Sequence, residues 1–141
     1  MRKVYIFSGY FINGFTDGHK ETLQSIKSEM KDDDMLVIII NNVLQQTQKY
    51  VNKTRGLMEI TKMIEPYLIE NFPSYRIEWS CDDDRTVCKT LEKIKIWHSA
   101  DVYYFCNAGD VKEHCAEEKV EGIDFIYYDL PKITSSGEEK R

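Results

Sequence analysis

The most suggestive chemistry in the chain lies in the stretch Ser8-Gly-Tyr-Phe-Ile-Asn-Gly-Phe-Thr-Asp-Gly-His19. Gly9, Gly14 and Gly18 let a backbone approach a ligand closely and take positive φ, and His19 closes the stretch with an imidazole. An apolar run, Val4 to Phe7, comes just before it and a segment of helical spacing just after. The stretch therefore reads as a loop from a first strand to a first helix, with His19 at the helix start. Free N–H groups and the helix dipole favour an anion at such a position. The chemistry this points to is the holding of a nucleotide phosphate.

Three other segments can join it. Gln45 to Arg55 is polar and basic, carries Lys49, Lys53 and Arg55, and reads as a mobile loop. Asn107-Ala-Gly-Asp110 follows an apolar run, and Thr134, Ser135 and Ser136 lie in a late segment whose hydroxyls could cap a helix or hold phosphate. Each has a plain reading when taken singly. His19 could merely cap, the lysines could be solvated, and Asp110 could end a turn. Their shared placement at one sheet edge is what gives them weight.

The elements that must position them follow from the apolar pattern. Leu23, Ile26 and Met30 recur at helical spacing, and Asp32-Asp-Asp34 is expected to end that helix. Met35 to Ile40 is a continuous β-branched run, as in a central parallel strand. Leu57 to Asn71 is helical again, with Pro66 expected to kink or divide it. Tyr75 to Trp79 alternates like an edge strand, and Asp82-Asp-Asp84 is expected to cap a helix burying Val87, Leu91, Ile94 and either Trp97 or His98. Val102 to Cys106 and Phe125 to Tyr128 are further strands, separated by a short helix near Lys112 to Val120. Strands alternating with helices predict a single α/β domain over residues 1–141: a three-layer sandwich on a five-stranded parallel sheet in the order 3-2-1-4-5.

Composition bounds the partners. A net charge of −5 provides no basic stripe for a nucleic-acid backbone. No segment approaches the ~20 apolar residues of a membrane helix, and the start of the chain lacks the pattern of a secretory signal. The four cysteines have neither CxxC pairing nor metal-ligand spacing with histidine. The expected setting is cytoplasmic and reduced, without nucleic acid or membrane. Aromatic residues at the sheet edges, such as Trp79 and Trp97, suit a homodimer.

The order strand, Thr16-Asp-Gly-His19, helix, then a late Ile133-Thr-Ser-Ser136 resembles the cytidylyltransferase-like nucleotidyltransferase family. Asp84-Arg-Thr-Val-Cys-Lys-Thr-Leu-Glu92 and Asn107-Ala-Gly-Asp110 also look like segments of its small bacterial members. The resemblance spans nearly the whole chain. It implies a Rossmann-like sandwich of the HUP type and transfer of a nucleotidyl group from CTP, or ATP, to a small phosphorylated acceptor such as a sugar or polyol phosphate. It further implies that His19, Thr16 and Lys49 are catalytic, with Lys53 and Arg55 as additional phosphate contacts. Gly9, Tyr10, Phe11, Gly18, Asn107, Gly109, Asp110, Thr134, Ser135 and Ser136 would bind the nucleotide. Mg²⁺ would arrive with the triphosphate, bridging phosphates without a protein cage.

The chain departs from the pattern in several places. Thr16 stands where histidine is commoner, Gly14 where proline is common, and Val111 where arginine is expected, and the loop is one residue longer. Two alternatives therefore stand beside the enzyme. One is a nucleotide-binding regulator of the same fold with impaired catalysis. The other is a flavodoxin-like mononucleotide-binding module, expected on the same strand order with a Gly/Ser/Thr loop after its first strand.

Overall fold

The computed structural model describes residues 1–51, 53–108 and 114–130. Five parallel strands form one sheet: β1 (Lys3–Gly9), β2 (Met35–Ile40), β3 (Tyr75–Trp79), β4 (Val102–Asn107) and β5 (Asp124–Tyr127). Their order is β3-β2-β1-β4-β5. The helices are α1 (Asp17–Glu29), α2 (Val43–Lys49), α3 (Leu57–Asn71) and α4 (Cys88–Trp97), with a 3₁₀ turn at Ala116–Lys119. This is the Rossmann-like α/β sandwich that the alternation predicts. A flavodoxin-like sheet runs 2-1-3-4-5, so the observed order departs from that alternative.

Handedness sorts the helices into layers. From β1 to β2 to β3 the chain moves one way across the sheet, and right-handed crossovers keep α1 and α3 on one face. From β3 it returns past β1 to β4 and then β5, which puts α4 and the 3₁₀ turn on the other. Leu23, Ile26, Ile60, Ile64 and Leu68 meet Tyr5, Phe7, Leu36, Ile38 and Ile40 on the first face. Val87, Leu91, Ile94, Val120 and Ile123 meet Val4, Ile6, Val37, Ile39 and Phe105 on the second.

Several expectations need correction. The stretch after β2 is not a loop: Val43 to Lys49 is helical, with Asn42 at the N-cap and a reciprocal Asn42–Gln45 capping box. Apolar spacing could not reveal this helix, because buried amides rather than a greasy stripe hold it. Pro66 does not divide α3, which runs unbroken from Leu57 to Asn71. Pro66 is exposed, so the carbonyl deprived of its helical bond faces water, while Ile60, Ile64 and Leu68 press the opposite face onto the sheet. The first helix ends at Glu29, before the acidic triplet. Asp34 instead goes inside, 1% exposed, accepting from the backbone N–H groups of Lys31 and Lys3 at 2.9 and 3.0 Å. In the second triplet only Asp82 caps α4, receiving the N–H groups of Lys89 and Thr90 at 2.8 and 3.0 Å. Trp97 points outward, 55% exposed, whereas His98 is half-buried against Glu78, with Nε2 to Oε1 at 3.1 Å.

The glycines of the first loop do different jobs. Gly14 alone of the three has positive φ, at 91°. Gly9 is needed for space, since a Cβ there would stand 2.9 Å from Cε2 of the buried Phe11 ring. Phe11 itself takes φ of 57°, turning its ring back under the loop. Replacing Gly9 with alanine is therefore expected to overpack the loop and lower stability by about 1–3 kcal/mol. Urea denaturation of the two proteins, compared at equal m-value, measures this; an unchanged midpoint contradicts it.

Candidate functional site

Every strand of a parallel sheet delivers its following loop to the same edge. Gly9, Ile40, Trp79, Asn107 and Tyr127 mark that carboxyl edge here. The connections leaving β1 and β4 run to opposite sides, so the crevice between them is the topological switch point where ligands of open α/β sheets sit. The β1 loop and α1 border this crevice. At its neck the Gly9 carbonyl accepts the Asn41 N–H at 2.9 Å, pinning the start of the loop to the end of β2.

At the start of α1, Thr16 and His19 form a reciprocal capping box. The Thr16 hydroxyl oxygen accepts the His19 N–H at 3.4 Å, and His19 Nδ1 accepts the Thr16 N–H at 3.1 Å. Thr16 Oγ1 also lies 3.1 Å from Nδ1. Nδ1 is thus an acceptor, and the ring proton resides on Nε2. Among the described residues nothing hydrogen-bonds Nε2. The ring is boxed in by aromatics: Phe11 at 4.6 Å between centroids, Phe15 nearly parallel at 6.0 Å, and Phe7 edge-on at 6.1 Å. Burial pushes its pKa down to about 4. His19 is therefore a neutral imidazole with an Nε2–H donor at a helix N-terminus, suited to an oxyanion but not to proton abstraction. Thr16 was expected to bind phosphate; its hydroxyl is spent on the cap, and what it does is orient His19.

A second group gathers on the β2 and β3 side. Lys49 Nζ lies 4.4 Å from the Tyr10 ring centroid and 5.6 Å from that of Tyr50. The two tyrosines meet edge to face at 5.6 Å. Burial raises the Tyr10 pKa, and the nearby Arg85 opposes that rise. The Tyr10 side chain, expected to bind nucleotide, packs here between Lys49 and Tyr50.

Buried amides fix where these cations stand. Gln45 is fully buried; its Nε2 donates to the carbonyls of Asp84 and Thr86 at 2.6 and 2.7 Å. Its Oε1 accepts from Asn41 Nδ2 at 2.9 Å, from the Asn42 N–H at 3.3 Å and from the Ser80 hydroxyl. Gln46, also fully buried, donates to the carbonyls of Asn41 and Arg55 and accepts the Arg55 N–H at 2.7 Å. Gln48 Nε2 adds a bond to the Asp83 carbonyl at 2.7 Å.

The other expected residues divide as follows. Arg55 is a strut: Nε donates to the Ile12 carbonyl at 2.8 Å, and the guanidinium pairs with Glu59. Lys53 sits on the segment between α2 and α3. Phe11 is core, 2% exposed, and Gly18 lies in the first turn of α1 without positive φ. Asn107 ends β4, with its carbonyl accepting the Tyr128 N–H at 2.8 Å and Nδ2 3.8 Å from Cys115 Sγ. Gly109, Asp110, Thr134, Ser135 and Ser136 lie outside the described residues. Sequence reasoning missed Arg85, Tyr50 and Gln45 as members of the site. The usable signal for Arg85 was its place just after the third strand, at the same edge as every other site loop. Comparison with protein-family models, curated proteins and solved structures finds no match.

The depressed His19 pKa has a pH consequence with a definite sign. Between the unfolded value of 6.5 and about 4, the unfolded chain binds a proton that the folded chain excludes. Stability contributed by neutral His19 is intact above pH 6.5 and is lost progressively as pH falls to about 4. NMR titration of the His19 ring is expected to show a midpoint near 4. The His19→Gln variant should lose less stability than the parent across that window. A ring midpoint at the ordinary histidine value would refute the burial argument.

Proposed function

We propose that the chain is a nucleotidyltransferase that moves a nucleotidyl group from CTP, with ATP the alternative donor, to a small phosphorylated acceptor of the sugar or polyol phosphate kind. The observation that carries this reading is the neutral His19. Its Nδ1 is tied to Thr16 and its Nε2–H is available at the N-terminus of α1, beside the β1–β4 switch point.

In the reaction, an oxygen of the acceptor phosphate attacks the α-phosphorus. The bond from that phosphorus to the α–β bridging oxygen breaks, and pyrophosphate leaves with the electron pair. No proton need move at the reacting centre, so the protein's task is positioning and stabilisation of charge. His19 Nε2–H donates to phosphate oxygen at the helix start, where the dipole adds to its effect. A neutral donor suits this task because it need not surrender its proton. Lys49 offsets the charge that builds on the leaving oxygens. The family resemblance assigns Thr134, Ser135 and Ser136 to the β- and γ-phosphates, and Asn107 with its following turn to the nucleoside side.

The described residues gather no group of three or more acidic, histidine or cysteine side chains suited to a metal. Mg²⁺ fits here as an ion carried in by the triphosphate, where it would supply charge neutralisation on the leaving pyrophosphate.

Calorimetric titration with MgCTP and MgATP, followed by pyrophosphate release against a panel of sugar and polyol phosphates, tests the reading. Binding of one triphosphate and turnover with an acceptor are expected. Failure to bind either nucleotide would sink it, and binding without any turnover would favour a regulator that has kept the fold. In the active protein, His19→Ala is expected to lower kcat by about two orders of magnitude, the scale of losing one oxyanion donor. Full activity in that variant removes His19 from the mechanism.

A further inference from the structure

We propose that the free edge of β3 is a self-association surface, on which a second copy of this chain lays its own β3 antiparallel about a twofold axis at Ile77. Two five-stranded sheets then become one continuous sheet, and the crevice at the carboxyl edge stays open because strands are added sideways.

The backbone offers the bonds for this. β3 ends the sheet, with β2 as its one neighbour. The Ser74 carbonyl accepts the Leu36 N–H at 3.1 Å, and the Ser80 N–H donates to the Ile40 carbonyl at 2.9 Å. In a parallel pair only alternate residues of a strand turn their polar groups toward the neighbour, so Arg76 and Glu78 bond to β2 with Ser74 and Ser80. The N–H and C=O groups of Tyr75, Ile77 and Trp79 therefore point away from the sheet. Such a row is a template for a further strand. An axis at Ile77 gives every one of these residues a reciprocal bonded partner: Ile77 faces Ile77 of the second copy, and Tyr75 and Trp79 face each other twice.

Charge selects this register. Arg76 and Glu78 lie beside Val37 and Ile39, on the face opposite Tyr75, Ile77 and Trp79. With the axis at Ile77, Arg76 of each copy stands across from Glu78 of the other, at the non-bonded positions where side chains come closest. Moving the axis one residue, to Arg76 or to Glu78, sets arginine against arginine or glutamate against glutamate, which is unfavourable. Arg76 is exposed and makes no ion pair among the described residues. Its Nη1 instead turns back to the Tyr75 carbonyl at 2.7 Å, covering one of the outward acceptors. When Trp79 N–H of the second copy takes that carbonyl, the guanidinium is released toward Glu78 across the axis. Glu78 holds His98 Nε2 through Oε1 at 3.1 Å, which leaves Oε2 to receive it.

The other face adds apolar surface. An open groove of about 760 Å³ runs along this edge beside α3, with Leu57, Met58, Thr61, Tyr75 and Ile77 among its walls. Leu57 is 36% and Met58 68% exposed. Twofold pairing brings two such grooves together on one face of the joined sheet, with the two α3 helices flanking the axis.

Sedimentation velocity of the full chain over a concentration series tests the assignment. The parent is expected to reach twice the mass of one chain as concentration rises. Arg76→Glu sets glutamate against glutamate at both crossings, and Glu78→Arg sets arginine against arginine. Either variant alone should raise the dimer dissociation constant by about tenfold or more, because two favourable pairs become repulsive. Mixed together, the two variants regain opposite charges at both crossings and should form a heterodimer that neither forms with itself. Amide exchange read by NMR needs no substitution. The amides of Tyr75, Ile77 and Trp79 should exchange more slowly in concentrated than in dilute protein, while those of Arg76 and Glu78, bonded to β2, stay protected in both. A parent that remains monomeric at every concentration overturns the proposal. So does a dimer that both variants leave intact, which would lie on another surface. If the variants keep the parent's circular dichroism but do not associate when mixed, the axis at Ile77 is wrong.

Discussion

The burial of β2 on both faces constrains everything else in the molecule. Met35 to Ile40 are at most 1% exposed, residue after residue, so neither face of the strand can meet water. Helices must cover both sides, and the right-handed crossover rule permits this only if the chain reverses its direction across the sheet once. That reversal is the step from β3 past β1 to β4. It creates the crevice beside β1 and lays every post-strand loop along one edge. The apolar sequence of a single strand thus decides where chemistry can occur.

At the carboxyl end of that strand the apolar rule stops abruptly. Asn41, Gln45, Gln46, Ser80 and Asp82 are all buried there. Buried polar groups are costly unless bonded, and here both glutamine side chains have their donors and acceptors engaged. The bonds run mainly to backbone of neighbouring segments, so they fix loop positions rather than merely satisfying one another. An apolar plug of equal volume would fill the same space but leave the carbonyls of Asp84 and Thr86 unpaired. Orientation of the α2 helix and the 83–86 segment is what the amides contribute, and the cation cluster depends on it.

Sequence periodicity captured the sheet because that part of the fold is governed by apolar burial. The strand order and the positions of α1, α3 and α4 followed from spacing of residues such as Leu23, Ile60 and Leu91. It failed where polar bonds replace burial. The α2 helix has Gln45 and Gln46 as its buried residues, so its core-facing side reads as a solvated loop. The same blindness hid Asp34, an acid carried inside to collect two backbone N–H groups, and the continuity of α3 through Pro66, whose missing N–H falls on the exposed side of the helix. At the site, Gly9, Gly14 and Gly18 read alike in sequence, as positions open to close backbone approach and positive φ. Only coordinates distinguish Gly14, with its positive φ, from Gly9, which yields space to Phe11. The influence of Arg85 on Tyr10 joins residues far apart in sequence, and no local pattern announces it.

His19 and Arg85 occupy contrasting environments along one sheet edge. The imidazole sits among Phe7, Phe11 and Phe15, where a charge would be poorly solvated, and its low pKa records that environment. It can therefore donate a hydrogen bond without adding a fixed charge to the crevice. Arg85 stands in the open, where a permanent guanidinium costs little desolvation and can draw an anion in from solution. A buried arginine at the His19 position would need a carboxylate partner. A neutral imidazole in the place of Arg85 would supply no such long-range attraction. The sheet edge thus carries an uncharged hydrogen-bond donor enclosed by aromatic rings after β1 and a permanent cation in the open after β3.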